Sequence, residues 1–312
     1  MLDCTDRHER YLLRLISKHA VMYTEMITTG ALIHGDTARF LNFDKAEHPV
    51  ALQLGGSVPD DMTRSAELAQ EWGYDEVNIN VGCPSDRVQS GSFGACLMKT
   101  PDLVAQNIKQ MQSAVDIPVT VKCRIGVDDQ DPEQSLWSLV DASANAGCTV
   151  FLVHARKAWL KGLSPKENRD VPPLDYELVY KLKQAFPDLE IIINGGIETI
   201  AQCQDHLAHV DGVMVGREAY SNPYMMAPVD QVIYGDESEP RSRDEVMRAY
   251  MDYIDVRLQE EGARLNQMSR HVVGLFHGEP KSRLWRRHIS QNAHLPGSGR
   301  EVLEQAYLAM IS

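Results

Sequence analysis

The chain has 312 residues, 43% hydrophobic and 24% charged, a soluble globular balance with room for one large core and an appendage. Its net charge of −13 argues against indiscriminate nucleic-acid binding, because an anionic surface repels phosphate. The start, "MLDCTDRHER", is charged at once, and no later stretch approaches the ~18 apolar residues of a membrane span, so an unexported, cytoplasmic protein without membrane contact is expected.

The first helical pattern, "TDRHERYLLRLISKH", begins almost at Met1, with Thr5 or Asp6 as its N-cap. Short β-branched runs then recur, each followed by a helix-like segment: "VMYTEMIT" from Val21, "VALQL" from Val50, "EVNINV" from Glu76, "IPVTVKCRI" from Ile117, "CTVFLVHA" from Cys148, "EIIING" from Glu190 and "GVMVG" from Gly212. Strands alternating with helices predict a parallel α/β sheet, and this number of units favours a (β/α)₈ TIM barrel over an open doubly wound sheet. A closed barrel needs eight strands and seven are found, so the first is expected to be largely missing from this chain and to lie upstream of Met1.

After Gly216 the pattern changes. "YGDESEP", Tyr234 to Pro240, reads as a polar linker, and from Ser242 onward only helical periodicity follows. The predicted division is a barrel domain over 1–236 and an all-α helical domain over 237–312. The six cysteines are scattered, with no Cys-x-x-Cys pair and no zinc-like spacing, so no metal is expected and a reducing compartment fits.

In a (β/α)₈ barrel the chemistry sits at the C-terminal ends of the strands. Those ends carry Gln53, then Asn80 with Cys83, then Lys122, His154 with Arg156, Asn194, and Gly216 with Arg217. The glycines in "NGG" (Asn194, Gly195, Gly196) and "VGR" follow the last two strands, where barrels often hold a phosphate on backbone N–H groups, although each glycine could equally just make a tight turn. A phosphate on that side leaves Gln53, Lys122 and His154 facing the rest of a ligand, and flavin mononucleotide (FMN) fits.

The stretches "NVGCPSDRVQSGSFGACLM", "QLGG", "HARKAWLKGLSPKENR", "INGGI" and "DGVMVGREAY" resemble the tRNA-dihydrouridine synthases, specifically the bacterial A subfamily, over essentially the whole chain. The resemblance implies an FMN barrel with a C-terminal helical domain. It also implies NADPH-dependent reduction of the C5–C6 double bond of uridines 20 and 20a in the tRNA D-loop. Gln53, Lys122, His154, Asn194 to Gly196, Gly216 and Arg217 would then bind FMN, and Cys83 would be the catalytic acid. The family usually has an Ala-Pro-Met strand end before "LDWTDRH"; this chain begins at that Met and carries Cys4 where Trp is typical. Met1 and Leu2 would be the remnant of that flavin-contacting end.

Hydride delivered to C6 of uracil leaves charge that must be quenched by a proton at C5, so a positioned acid is required. A thiol is largely protonated at neutral pH and can serve, which suits Cys83 in its Gly-Cys-Pro turn. Asn80 would contact the base or its backbone, and Cys96 is expected to be a packing residue at the beginning of a helix.

Two basic tracts reconcile an acidic protein with tRNA. The loop "HARKAWLKGLSPKENR" holds Arg156, Lys166 and Arg169 beside the expected flavin. Between Arg264 and Arg300 seven Lys/Arg meet one acid, Glu279, a local +6, with Arg283, Arg286 and Arg287 on one helical face and Trp285 beside them. The competing readings are an FMN barrel acting on a free pyrimidine or other small molecule, and a non-catalytic RNA-binding protein. No protein partner can be named.

Overall fold

The computed structural model describes residues 1–85, 88, 91–260 and 262–311. Seven strands, β1 Met22–Thr28, β2 Val50–Gly55, β3 Glu76–Val81, β4 Val119–Arg124, β5 Val150–His154, β6 Glu190–Asn194 and β7 Gly212–Met214, form one sheet in chain order. Every pairing is parallel. The longer helices are α1 Arg7–Ile16, α2 Pro59–Glu71, α3 Pro101–Ala114, α4 Pro132–Asn145, α5 Tyr176–Ala185 and α6 Ile200–Leu207, then α7 Arg243–Glu260, α8 Leu265–Val272, α9 Ser282–Asn292 and α10 Glu301–Ile311. The alternation read in the sequence is therefore a TIM-barrel-like α/β sheet with β1 and β7 at its edges. From Arg243 on, the regular elements among the described residues are helices.

The helices start where local chemistry tells them to. Proline opens α2, α3 and α4, where its missing N–H costs nothing, and Asp131, Asp175 and Thr199 cap α4, α5 and α6 through their side-chain oxygens. Asp6, one of the two expected caps, takes the role at α1 by accepting from the N–H groups of His8 and Glu9.

Alternation along the strands sorts two faces. Leu52, Leu54, Val77, Ile79, Val81, Val121, Phe151 and Val153 are buried in one apolar core with Met62 and Ala66 of α2, Val104 and Ile108 of α3 and Leu136 and Leu139 of α4. The opposite face carries Tyr23, Gln53, Glu76, Asn78, Asn80, Thr120, Lys122 and Asn194, which hydrogen-bond one another. Two of these bonds pass over a whole strand: the Tyr23 hydroxyl on β1 donates to Glu76 on β3 at 2.8 Å, and Lys122 Nζ on β4 donates to Asn194 Oδ1 on β6 at 2.9 Å. In a flat sheet such strands stand about 9–10 Å apart. The sheet is curled, with the polar face concave.

Of the C-terminal helices, α7 and α8 pack on α1. His8 Nδ1 lies 2.7 Å from the Tyr253 hydroxyl, Tyr250 donates to the His8 carbonyl, and Asp6 pairs with Arg270 and His271. Trp285, expected beside the arginines of α9, is instead fully buried; its Nε1 donates to the Val272 carbonyl and its ring meets Phe276 edge-on. The apolar period of α9 decides this, since Trp285 and Ile289 are one turn apart and face the core, which leaves Arg283, Arg286 and Arg287 exposed. Among the described residues, no helix is long and apolar enough to cross a membrane.

Candidate active site

Strand register assembles the site. Asn80 stands beside Lys122, Arg124 beside His154, His154 beside Asn194, and Asn194 beside Met214, so neighbouring strands from β3 to β7 end in one row. Asn194 Nδ2 donates to the Met214 carbonyl at 2.8 Å, which turns its Oδ1 toward Lys122. Burial, and after it the Arg124 charge, pushes the Lys122 ammonium down to about 8.

His154 has an enclosed Nδ1 without a hydrogen-bond partner. Burial, then the charges of Arg124, Lys122, Arg156 and Arg217, holds its pKa well below the usual range, so at neutral pH it is a neutral imidazole. The ring lies over Gly195. A Cβ there would stand 3.2 Å from His154 Cε1, and one at Gly196 would stand 2.7 Å from Leu174 Cδ1. With φ of 118° and 70°, both positions also take a backbone that glycine alone adopts readily, so the "NGG" turn serves close approach as well as chain reversal. Gly216 differs: its φ is −118°, and an added Cβ would meet only Met1 Sδ, at 3.8 Å. Met1 is thus at this end of the sheet, whereas Leu2 is 64% exposed.

The basic loop closes over the row. Arg217 pairs with Asp170 at 2.5 Å and donates to the Arg169 carbonyl at 3.3 Å. Arg156 donates to the carbonyls of Pro172 and Asp170, yet its Nε, like that of Arg169, is enclosed without a partner. Lys166 is exposed.

Cys83 follows β3 in a turn organised by Asn80, whose Oδ1 accepts from the N–H groups of Gly82 at 3.1 Å and Cys83 at 2.9 Å. The Asn80 amide also donates to Gln53 at 2.7 Å, so its side chain is committed inside the protein. The Cys83 thiol is partly exposed and donates to Ser85 Oγ at 3.6 Å, and the Cys83 carbonyl accepts from the N–H of Ala95. Cys96 sits in the 3₁₀ turn Gly94–Lys99 just before α3, partly exposed, its thiol pKa raised by burial.

Sequence reading missed Arg124. It is buried; its Nε donates to the Gly82 carbonyl at 3.1 Å, and Nη1 donates to the carbonyls of Lys157 at 3.1 Å and Asn168 at 2.7 Å. One guanidinium therefore ties the Cys83 turn to the basic loop. The signal was its spacing from Lys122, since residues two apart on a strand share a face. Asn168 was missed as well: fully buried, its side chain donates to the carbonyls of Trp159, Leu163 and Ser164 and accepts from the Trp159 N–H.

This donor set has a chemical meaning. Lys122, Arg124, Arg156, Arg169 and Arg217 converge around a neutral histidine, with Asp170 paired to Arg217, while two enclosed guanidinium nitrogens lack acceptors and the enclosed imidazole nitrogen lacks a hydrogen-bond partner. Buried cations and unpaired donors are costly until an anion with several acceptors meets them. The site suits a phosphate-bearing ligand that also offers polar ring edges, and places a thiol beside it.

A family model described as "Dihydrouridine synthase (Dus)" matches residues 1–312. The chain belongs to the dihydrouridine synthase family. Within that family it is 58% identical over 307 residues to a tRNA-dihydrouridine(20/20a) synthase of Shewanella oneidensis, covering 98% of this chain and 91% of the relative. It is 56% identical over 309 residues to the protein of the same name in Synechocystis, covering 99% and 92%. The namesake in Yersinia pestis is 54% identical over 313 residues, covering 100% and 90%.

Proposed function

We propose that this chain reduces uridines 20 and 20a of tRNA to dihydrouridine in the cytoplasm, using FMN and NADPH. The observation that carries the reading is the cationic strand-end row with unpaired enclosed donors at Arg156 and Arg169 and a partnerless imidazole nitrogen at His154, set beside the Cys83 turn. The names of the relatives supply the nucleic-acid substrate and the two positions.

Bound FMN, reduced by NADPH, would supply the hydride that adds at C6 of uracil. Lys122, Gln53 and Asn194 would hold the polar edge of the flavin ring with their ammonium and amide groups. His154, neutral, contributes a hydrogen bond rather than charge. Gly195 and Gly196 would offer backbone N–H groups to the phosphate together with Gly216 and Arg217, and Met1 and Leu2 would complete the cofactor seat. Cys83 Sγ holds the proton that C5 receives, and Asn80 and Arg124 hold the turn that aims it.

tRNA is gripped from two sides. Arg156, Lys166 and Arg169 line the loop over the site, and residues 237–312, taken as a helical domain, present Arg283 and Arg286 of α9 to the phosphate backbone. Arg270 and Arg300 of the basic tract are already paired, with Asp6 and with Asp252, Asp255 and Glu304 respectively. The remaining positive charge is concentrated on α9, where phosphate contact brings net attraction despite an acidic whole.

The test is the visible absorption of the purified protein, followed by NADPH oxidation with and without unmodified tRNA. Flavin bands and oxidation that continues only while uridine remains to be reduced support the reading. A colourless protein that takes up no FMN, or oxidation indifferent to tRNA, removes it.

A further inference from the structure

The concave face of the sheet contains a hydrogen-bonded row that runs from the Cys83 turn to the floor of the barrel. Asn80 Nδ2 donates to Gln53 Oε1 at 2.7 Å, Gln53 Nε2 to Asn78 Oδ1 at 2.9 Å, and Asn78 Nδ2 to Thr120 Oγ1 at 2.7 Å. Thr120 Oγ1 then donates to Glu76 Oε1 at 2.5 Å, and the Tyr23 hydroxyl donates to the same oxygen at 2.8 Å. Above the row, Asn80 Oδ1 accepts the N–H groups of Gly82 and Cys83.

Every link donates in one direction, downward, and both ends require it. Backbone N–H groups can only donate, so the oxygen of Asn80 must face up and its NH₂ down. An ionised carboxylate can only accept, so Thr120 must donate to Glu76 and is left to accept from Asn78. Reversing any one amide would set NH₂ against NH₂ or oxygen against oxygen among buried groups, since Gln53, Asn78, Asn80 and Thr120 are all buried. The row is consistent only as a whole.

We infer that Glu76, Thr120 and Asn78 are positioning residues for Cys83: the carboxylate on the barrel floor sets the orientation of the Asn80 amide and thereby the turn that presents the thiol. Burial pushes the Glu76 carboxyl up, while hydrogen bonds from Thr120 and Tyr23 favour its ionised form. The catalytic meaning of this row rests on Cys83 being the proton donor; its structural content does not.

Thr120 is the link to cut, because Thr120→Val removes the hydroxyl at nearly constant volume and Thr120→Ser retains it. Two readouts need neither cofactor nor tRNA: amide hydrogen exchange at Gly82 and Cys83, and alkylation of Cys83 by iodoacetamide resolved by peptide mass spectrometry. Thr120→Val should speed exchange at those two amides about tenfold and change the Cys83 alkylation rate, with the amides of Val77 and Val121 unaffected. Thr120→Ser should match the parent, and dihydrouridine formation per bound flavin should fall in the Val variant and recover in the Ser variant. If Thr120→Val loosens the whole sheet, Thr120→Ala paired with Thr120→Ser repeats the comparison. Parent-like exchange and alkylation in the Val and Ala variants, or a Ser variant as perturbed as the Val one, would overturn the inference. An inactive parent whose exchange still responds would instead remove the reading of function and leave the row intact.

Discussion

The backbone N–H of Cys83 donates to Asn80 Oδ1 at 2.9 Å, so a strand-end amide and the thiol after it form one rigid unit. The unit is pinned from the other side by Arg124, which donates to the Gly82 carbonyl between them at 3.1 Å. Cys83→Ala should therefore leave flavin binding and its reduction by NADPH near parent levels while dihydrouridine formation falls roughly 10²-fold or more, the usual loss for a positioned acid. Cys96→Ala should change little. Rapid-reaction traces of the two half-reactions check this, and normal turnover without the Cys83 thiol would take that residue out of the chemistry.

Arg283 and Arg286 are exposed on α9, and among the described residues neither has an ion-pair partner. Reversing both to Glu should weaken tRNA binding and flatten its salt dependence by roughly one log–log unit for each phosphate that the helix no longer neutralises. Flavin reduction should be untouched. Filter binding over a salt series is the measurement; parent affinity and slope would mean that α9 is only a solvated face.

The Lys122 ammonium, held at about 8 by burial and Arg124, titrates close to working pH. A lysine with a lowered folded pKa destabilises the fold while protonated. That cost is full below about pH 8 and is relieved between about 8 and 10.4, where the folded chain has released the proton and the unfolded chain has not. Ligand affinity runs the opposite way, because a polar, anionic cofactor needs the ammonium. FMN binding should be strongest below about pH 8, weaken above it by up to about tenfold per unit, and take up a proton there. Fluorescence titrations should lose that fall in Lys122→Met; a fall that persists in the variant would assign it to another group.

Asp6 caps α1 and also meets Arg270 at 2.6 Å and His271 at 3.0 Å. Burial disfavours its charge, but the hydrogen bonds from His271 and Arg270 outweigh burial and hold the carboxyl well below the usual range. Its stabilisation is thus present above the unfolded value near ~3.9 and is lost as pH falls through the folded one. Asp6→Ala should cost about 2–3 kcal/mol in urea melts at neutral pH, and Asp6→Asn, which keeps the cap, roughly half as much. Equal losses in both variants would mean that the cap contributes nothing.

The sequence was most legible where one local rule decides. β-branched runs marked the seven strands, and the polar residues closing six of those runs pointed to the rim, because a strand end facing a barrel mouth has no apolar partner. Trp285 was misplaced because charge near an aromatic says nothing of direction, whereas the one-turn spacing to Ile289 does. The Arg217–Asp170 pair and the threefold anchoring by Arg124 join segments far apart in the chain, and no local pattern announces them. The inner row was half visible: "EVNINV" alternates polar and apolar residues, but its hydrogen-bond direction needs Thr120 and Gln53 from the neighbouring strands.

The most direct measurement is position-resolved: FMN-loaded protein and NADPH are incubated with unmodified tRNA, and the digested RNA is read by mass spectrometry for uridines that have gained two hydrogens. Dihydrouridine is expected at positions 20 and 20a, the positions named in the relatives. Protein that binds flavin and tRNA and oxidises NADPH, yet leaves every uridine at its original mass, would contradict the proposed function.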